Sequence, residues 1–223
     1  CGGAVPPQML KDFDVPRDVL EAEVDSARMI SPSARAVDMP IEIGFVGMVD
    51  RGSFDEWLRA RAASGGATRA TGTFTGFHES DGESVVVEYR EGRKSDRAEG
   101  RDGGTRESVA GGAVRRVRAR YVIGADGAKS KVGRAAVKGA DKLKSVFAYH
   151  EIVEAPQAAF RTAPGAAVPG GTDPAALPDV DPVRCDVVYD GELSPDFYSW
   201  VFPHGKVVSV GTGTAHQGFG MRG

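Results

Sequence analysis

Ile123-Gly124-Ala125-Asp126-Gly127-Ala128-Lys129-Ser130, preceded by Tyr121-Val122 and followed by a helix-like segment to Val137, is the stretch on which the fold turns. Tyr121, Val122 and Ile123 predict a short buried strand that Gly124 ends. Glycines at a strand end let backbone approach a ligand closely, and the start of the next helix offers N–H groups to phosphate. Asp126 can accept hydrogen bonds from ribose hydroxyls. The bare Gly-Ala-Asp-Gly tetrapeptide equally describes an ordinary strand-to-helix turn. Specificity comes from the longer pattern, in which Ser130 follows after two residues and Val132 and Arg134 lie beyond.

A second stretch stands out near the C-terminal end: Ser194-Pro195-Asp196-Phe197-Tyr198-Ser199-Trp200-Val201-Phe202-Pro203-His204-Gly205. It concentrates four aromatics in a chain that is only 8% aromatic. Tyr198, Trp200 and Phe202 alternate, so on a strand they share one face. Such a face is either plain core or one wall of a cavity for a long apolar ligand. His204, after Pro203, reads as a surface turn residue.

The bulk composition narrows the function classes. The chain has 223 residues, 41% hydrophobic content and a formal net charge of −3. That supports a real core and gives no electrostatic case for nucleic acid. Arg115, Arg116, Arg118 and Arg120 form a basic run that reads as the solvent face of a strand. Two cysteines, Cys1 and Cys185, cannot make a disulfide framework and fit a reducing, cytoplasmic setting. The four histidines lack metal-ligand spacing, and no apolar run is long enough to span a membrane.

Local patterns predict a short helix near Arg17–Ala27, and extended chain over Ala27–Met39 broken at Ser31-Pro32-Ser33. A strand follows over Ile43–Val49. A helix is expected from Ser53, capped by the Ser53/Glu56 pair and ended at Gly65-Gly66. Thr68–Phe77 and Glu83–Tyr89 read as antiparallel strands around Asp81-Gly82. Further strands are expected at Ser145–Glu154, Arg184–Tyr189, Tyr198–Phe202 and Val207–Gly213. Residues 91–112 read as a solvated loop and 155–182 as a Pro-, Ala- and Gly-rich surface insertion.

The 123–130 pattern resembles the second flavin fingerprint of the group A flavoproteins, the para-hydroxybenzoate hydroxylase fold. Cys1-Gly2-Gly3-Ala4-Val5-Pro6-Pro7, Ile30-Ser31-Pro32-Ser33, Gly47-Met48-Val49-Asp50-Arg51, Phe54–Ala62 and Ser194–Gly205 narrow it further. In this order they resemble the geranylgeranyl reductase family. The resemblance implies an α/β (α+β) fold, a FAD-binding layer beside an antiparallel substrate sheet. Residues 1–140 would belong to the FAD-binding domain, with a hairpin region at 67–120, and 141–223 to the substrate side. The family's Gly-x-Gly-x-x-Gly turn is missing, since His216 stands where Gly211-Thr212-Gly213 would need its third glycine. The resemblance therefore implies an internal piece, cut at both ends.

The site residues follow from that resemblance. Arg51 matches an arginine lying along FAD, and Gly124, Asp126, Gly127 and Ser130 match the fingerprint serving FAD and NADPH. Cys1 matches the cysteine beside the flavin ring. Tyr198, Trp200, Phe202 and Pro203 match the aromatic motif of the prenyl cavity. The implied reaction reduces a geranylgeranyl chain to phytyl, on (bacterio)chlorophyll or on geranylgeranyl diphosphate, with peripheral membrane association. An isolated trisubstituted alkene has no carbonyl to polarise it, so a proton donor must act together with hydride; Cys1 and Tyr198 are the candidates. A flavin-dependent aromatic hydroxylase of the same fold and a non-catalytic prenyl- or pigment-binding module stay open as alternatives.

Overall fold

The computed structural model describes residues 2–92, 112–154, 180–216 and 219. The expectations for Cys1 and for most of 91–112 and 155–182 lie outside the described residues. The chain forms two compact units, residues 1–64 with 146–223, and residues 65–145.

The first unit holds two sheets. In the smaller, β5 (Val46–Met48) lies between β1 (Ala4–Val5) and β2 (Ala22–Val24), antiparallel to both. The larger has six strands: β3 (Ser26–Ile30), β4 (Ala36–Pro40), β9 (Phe147–Glu154), β10 (Arg184–Val188), β11 (Ser199–His204) and β12 (Val207–Thr214). Their spatial order is β4-β3-β10-β11-β12-β9. The expected antiparallel sheet is present in four of the five pairings, while β3 and β10 run parallel. Parallel neighbours need a long crossover, and more than a hundred residues separate these two in the chain.

The expected helix over Arg17–Ala27 is also corrected. Only Arg17–Val19 coils, as one 3-10 turn, and β2 and β3 take the rest. Ladder pairing of β2 with β5 and of β3 with β10 outweighs a weak helical pattern. Helix α1 (Pro7–Asp12) starts with proline at its first position, where no N–H is needed. Helix α2 (Arg51–Ser64) starts two residues before the expected Ser53. Asp50 caps it, accepting from the Ser53 amide at 2.9 Å, so Ser53 sits inside the first turn.

Two apolar clusters hold this unit together. Val5, Leu10, Val49 and Phe54 join the small sheet to the helices. Val24, Met48 and Cys185, with Phe202 packed against them, join the small sheet to the large one. Met48 is fully buried, and each such side chain contributes about 1.5–3 kcal/mol. On the other face of the large sheet, Arg184 forks onto Asp186 at 2.6 and 3.1 Å and reaches Asp181 at 3.1 Å.

The second unit is built on the antiparallel sheet β6 (Gly72–Ser80), β7 (Val85–Glu91) and β8 (Val114–Ala119). Val114–Ala119 carries its arginines outward as expected, with Arg115 on Glu91 at 2.9 Å and Arg116 on Glu88 at 3.0 Å. Tyr121–Ile123 is not a strand: Tyr121 and Ile123 are exposed and the segment joins no sheet among the described residues. Three residues without a neighbouring ladder have nothing to pair with. Helix α3 (Lys131–Ala136) follows.

Candidate functional site

Strand β11 lies in the middle of the large sheet, between β10 and β12. Pleating sends Trp200, Phe202 and His204 to one face and Ser199, Val201 and Pro203 to the other. The ring centroids form a continuous row: Tyr189 to Tyr198 at 6.2 Å, Tyr198 to Trp200 at 6.1 Å, Trp200 to Phe202 at 6.2 Å. Phe197 stacks on Tyr198 at 4.2 Å. The row runs from half-buried Tyr198 to Trp200, only 5% exposed, and on to Phe202 in the core cluster. One strand face thus runs from half-buried rings into the core. Pro203 is fully buried on the opposite face.

Strand β12 is shaped to take these rings. Gly211 pairs with Trp200 across the ladder, and a Cβ there would lie 2.3 Å from Trp200 Cζ2. A Cβ at Gly213 would lie 2.7 Å from the Phe197 ring. The two glycines thus seat aromatics. Trp200 Nε1 donates to the buried Ser209 hydroxyl at 3.2 Å, and His150 Nδ1 lies 3.3 Å from the same oxygen. Ser194 donates to the Gly213 carbonyl at 2.7 Å. Asp196 accepts from Thr214 Oγ1 at 2.6 Å and from the Ala215 amide, and these bonds hold its carboxyl below the usual range.

The N-terminal motif comes down on this row. A Cβ at Gly2 would lie 2.7 and 2.8 Å from Phe202 ring carbons. A Cβ at Gly3 would lie 2.5 Å from His204 Cε1 and 2.6 Å from the Val49 carbonyl oxygen, and Gly3 has φ +75°. Only glycine fits such a position. The expectation of His204 as a surface turn residue is corrected: its ring is 7% exposed and Nε2 lies 3.0 Å from the Gly2 carbonyl. Burial pushes its pKa down, opposed by the Gly2 bond and by Glu21 and Asp50. The glycine pair opposite alternating aromatics, and the glycines after Cys1, were the sequence signals for these contacts. Nothing in the sequence pointed to Ser209.

Arg51 is the first residue of α2, half-exposed, with its guanidinium on Asp55 at 2.8 and 3.1 Å.

In the second unit, the Asp126 carboxylate accepts from the Ser130 hydroxyl and from the Lys131 and Val132 amides. The Ser130 bond, with the two amides, keeps this carboxyl below its ordinary range. Ser130 caps α3 through the Gly133 amide at 2.7 Å. Asp126 is thus a helix-capping residue, with three donors on its exposed carboxylate. Gly127, at φ +81°, has open space where a side chain would stand, while Gly124 is closely approached by Val132. Backbone of this turn is therefore accessible at Gly127.

No protein-family model matches the chain. Among curated proteins, geranylgeranyl diphosphate reductase of Rhodobacter capsulatus is 46% identical over 96% of this chain and 45% of its own length. The chloroplastic geranylgeranyl diphosphate reductase of Oryza sativa is 33% identical, over 96% and 41%. Digeranylgeranylglycerophospholipid reductase of Methanosarcina acetivorans is 30% identical, over 100% and 45%. Among solved structures, a geranylgeranyl bacteriochlorophyll reductase-like protein of Thermoplasma acidophilum superposes with TM-score 0.69 at 23% identity, over 96% of this chain and 46% of that one. A flavin-dependent brominase follows at TM-score 0.61 and 18% identity, over 96% and 47%. The fold is that of flavin-dependent enzymes, and the chain spans less than half the length of these relatives. Along 96% of its residues, the chain is a homologue of the geranylgeranyl diphosphate reductases.

Proposed function

We propose that this chain is part of a FAD-dependent, NADPH-using reductase that saturates a geranylgeranyl chain to phytyl on (bacterio)chlorophyll or on the free diphosphate. The observation that carries the reading is the Gly2–Gly3 segment lying on Phe202 and His204 of the aromatic strand. Two segments two hundred residues apart in the chain, both among those that carry the resemblance, thereby meet at one place. Likeness to the curated reductases supports prenyl reduction, and the pigment ester rests on the photosynthetic members among them.

The flavin, when bound, would supply the hydride. The proposed cofactor residues are those of the resemblance: Arg51 for FAD, and Gly124, Asp126, Gly127 and Ser130 for FAD and NADPH. Tyr198, half-buried between Tyr189 and Trp200 in the row, is the proposed contact that bounds a prenyl chain and excludes water from it. Its hydroxyl is the proposed proton donor, Cys1 being the other candidate. Trp200 and Phe202 form the rigid floor beneath. No described helix is long and apolar enough to cross a membrane, and a lipid-soluble substrate makes peripheral association part of the proposal.

The test uses the full-length protein, loaded with FAD and incubated anaerobically with NADPH and geranylgeranylated pigment or diphosphate. Mass spectrometry should find products two, four and six mass units heavier, and Tyr198→Ala should lose turnover while keeping flavin absorbance. Flavin binding without any loss of prenyl double bonds would sink the reading. A protein that binds prenyl substrate but no flavin would instead be the non-catalytic binding module.

A further inference from the structure

We propose that His204 is a positioning residue, whose imidazole fixes the Gly2–Gly3 turn next to the aromatic strand. The proposal rests on the functional reading above. A carbonyl oxygen only accepts, so the 3.0 Å contact to Gly2 requires the hydrogen on Nε2 of the ring. The next carbonyl, of Gly3, accepts from the Val49 amide at 2.9 Å. Two successive carbonyls of the turn are thus held from two different elements. His204 Cε1 and the Val49 oxygen leave no room for a Cβ at Gly3, so ring and turn fix one another.

The ring is itself delivered to a fixed place. Pro203 before it is fully buried and has a locked φ. Gly205 after it has φ +64°, and a Cβ there would lie 2.9 Å from the Glu21 carbonyl oxygen. The end of β11 is therefore clamped on both sides of the histidine. Burial pushes the imidazole pKa down and so favours the neutral ring, in which Nε2–H donates to Gly2. The groups acting on it are Glu21, Asp50 and His150. Cys1 adjoins Gly2 in the sequence, so its alkylation serves as a readout of the turn.

The test compares His204→Phe, which keeps a ring and removes the donor, with His204→Gln, which keeps an N–H donor, in the flavin-loaded full-length protein. Two readouts are taken: kcat and KM for prenyl reduction, and the iodoacetamide alkylation rate of Cys1 followed by peptide mass mapping. His204→Phe should melt within about 4 °C of wild type. It should lower kcat about tenfold to a hundredfold at nearly unchanged KM, as misplacement of a reacting group does. It should also change Cys1 alkylation severalfold, and His204→Gln should restore both. Wild-type behaviour of His204→Phe in both readouts would overturn the proposal. So would equal losses in the two variants accompanied by equal falls in Tm, which mark plain packing. If the wild-type protein reduces no prenyl chain, the functional reading fails, and the alkylation comparison still decides the role of His204.

Discussion

Replacing Gly211 by alanine tests whether β12 is shaped around Trp200. The new methyl would stand 2.3 Å from Trp200 Cζ2, 2.7 Å from Cε2 and 2.6 Å from His150 Cβ. Ordinary contact begins near 3.4 Å, so the indole edge must retreat by roughly 1 Å. It has little room, being 5% exposed, with its N–H on Ser209 and its ring between Tyr198 and Phe202. Overpacking a core this way costs about 1–3 kcal/mol. Loss of the Trp200–Ser209 bond adds about 0.5–1.5 kcal/mol. The expected destabilisation is therefore about 1.5–4.5 kcal/mol, a fall in Tm of about 3–18 °C for a chain of this size. Denaturant titration followed by tryptophan emission gives the free energy, in a Trp57→Phe background that removes the other tryptophan of these 223 residues. Gly191→Ala is the control, since a Cβ there meets nothing within 4 Å and its φ is negative. A Gly211→Ala protein within about 0.5 kcal/mol of wild type, with unshifted emission, would refute the packing argument.

Asp126→Ala should free the Lys131 and Val132 amides, and amide hydrogen exchange at those two positions should accelerate; unchanged exchange would show that Asp126 does not cap α3. Cys185 has its thiol pKa pushed up to about 12, by burial and then by Asp186, so it should resist iodoacetamide in the folded protein and react once unfolded. Labelling of Cys185 in native buffer at the rate of a free thiol would contradict its place in the core. His204 has its pKa lowered on folding, so the unfolded chain binds the proton first as pH falls. Its contribution to stability is present above about pH 6.5 and is lost as pH falls through the folded value. Denaturation midpoints should therefore drop as the pH falls below about 6.5, and the slope should flatten in His204→Gln; an identical slope in that variant would assign the effect elsewhere.

Strands were legible wherever local pattern and pairing agreed. Val207–Thr214, Arg184–Val188 and Val85–Glu91 fall within two residues of where their alternation and turn residues put them. The misreadings have one physical origin. Arg17–Ala27 reads as weakly helical in isolation, but β5 and β10 claim its second half through long-range ladders. Tyr121–Ile123 looks like a strand because it is apolar, yet a strand exists only where a neighbour supplies hydrogen bonds, and none does so here among the described residues. A window of a dozen residues contains neither fact.

The site divides along the same line. Alternation alone puts Trp200 and Phe202 on one face, and that face exists. What alternation lacks is the identity of the layer above it. His204 looked like a turn residue because Pro203 and Gly205 flank it, and those same two residues clamp the ring under Gly3. Punctuating residues ordinarily mark surface, but here they hold a buried imidazole at the end of a central strand. The difference lies in Gly2 and Gly3, two hundred residues away, whose missing side chains leave the space that the Phe202 and His204 rings fill. Gly211 and Gly213 do the same from the next strand for Trp200 and Phe197. Glycine at all four places is thus a record of an aromatic ring on a different segment. Reading such glycines as vacancies, rather than as flexible turns, is what connects the two ends of this chain to one place.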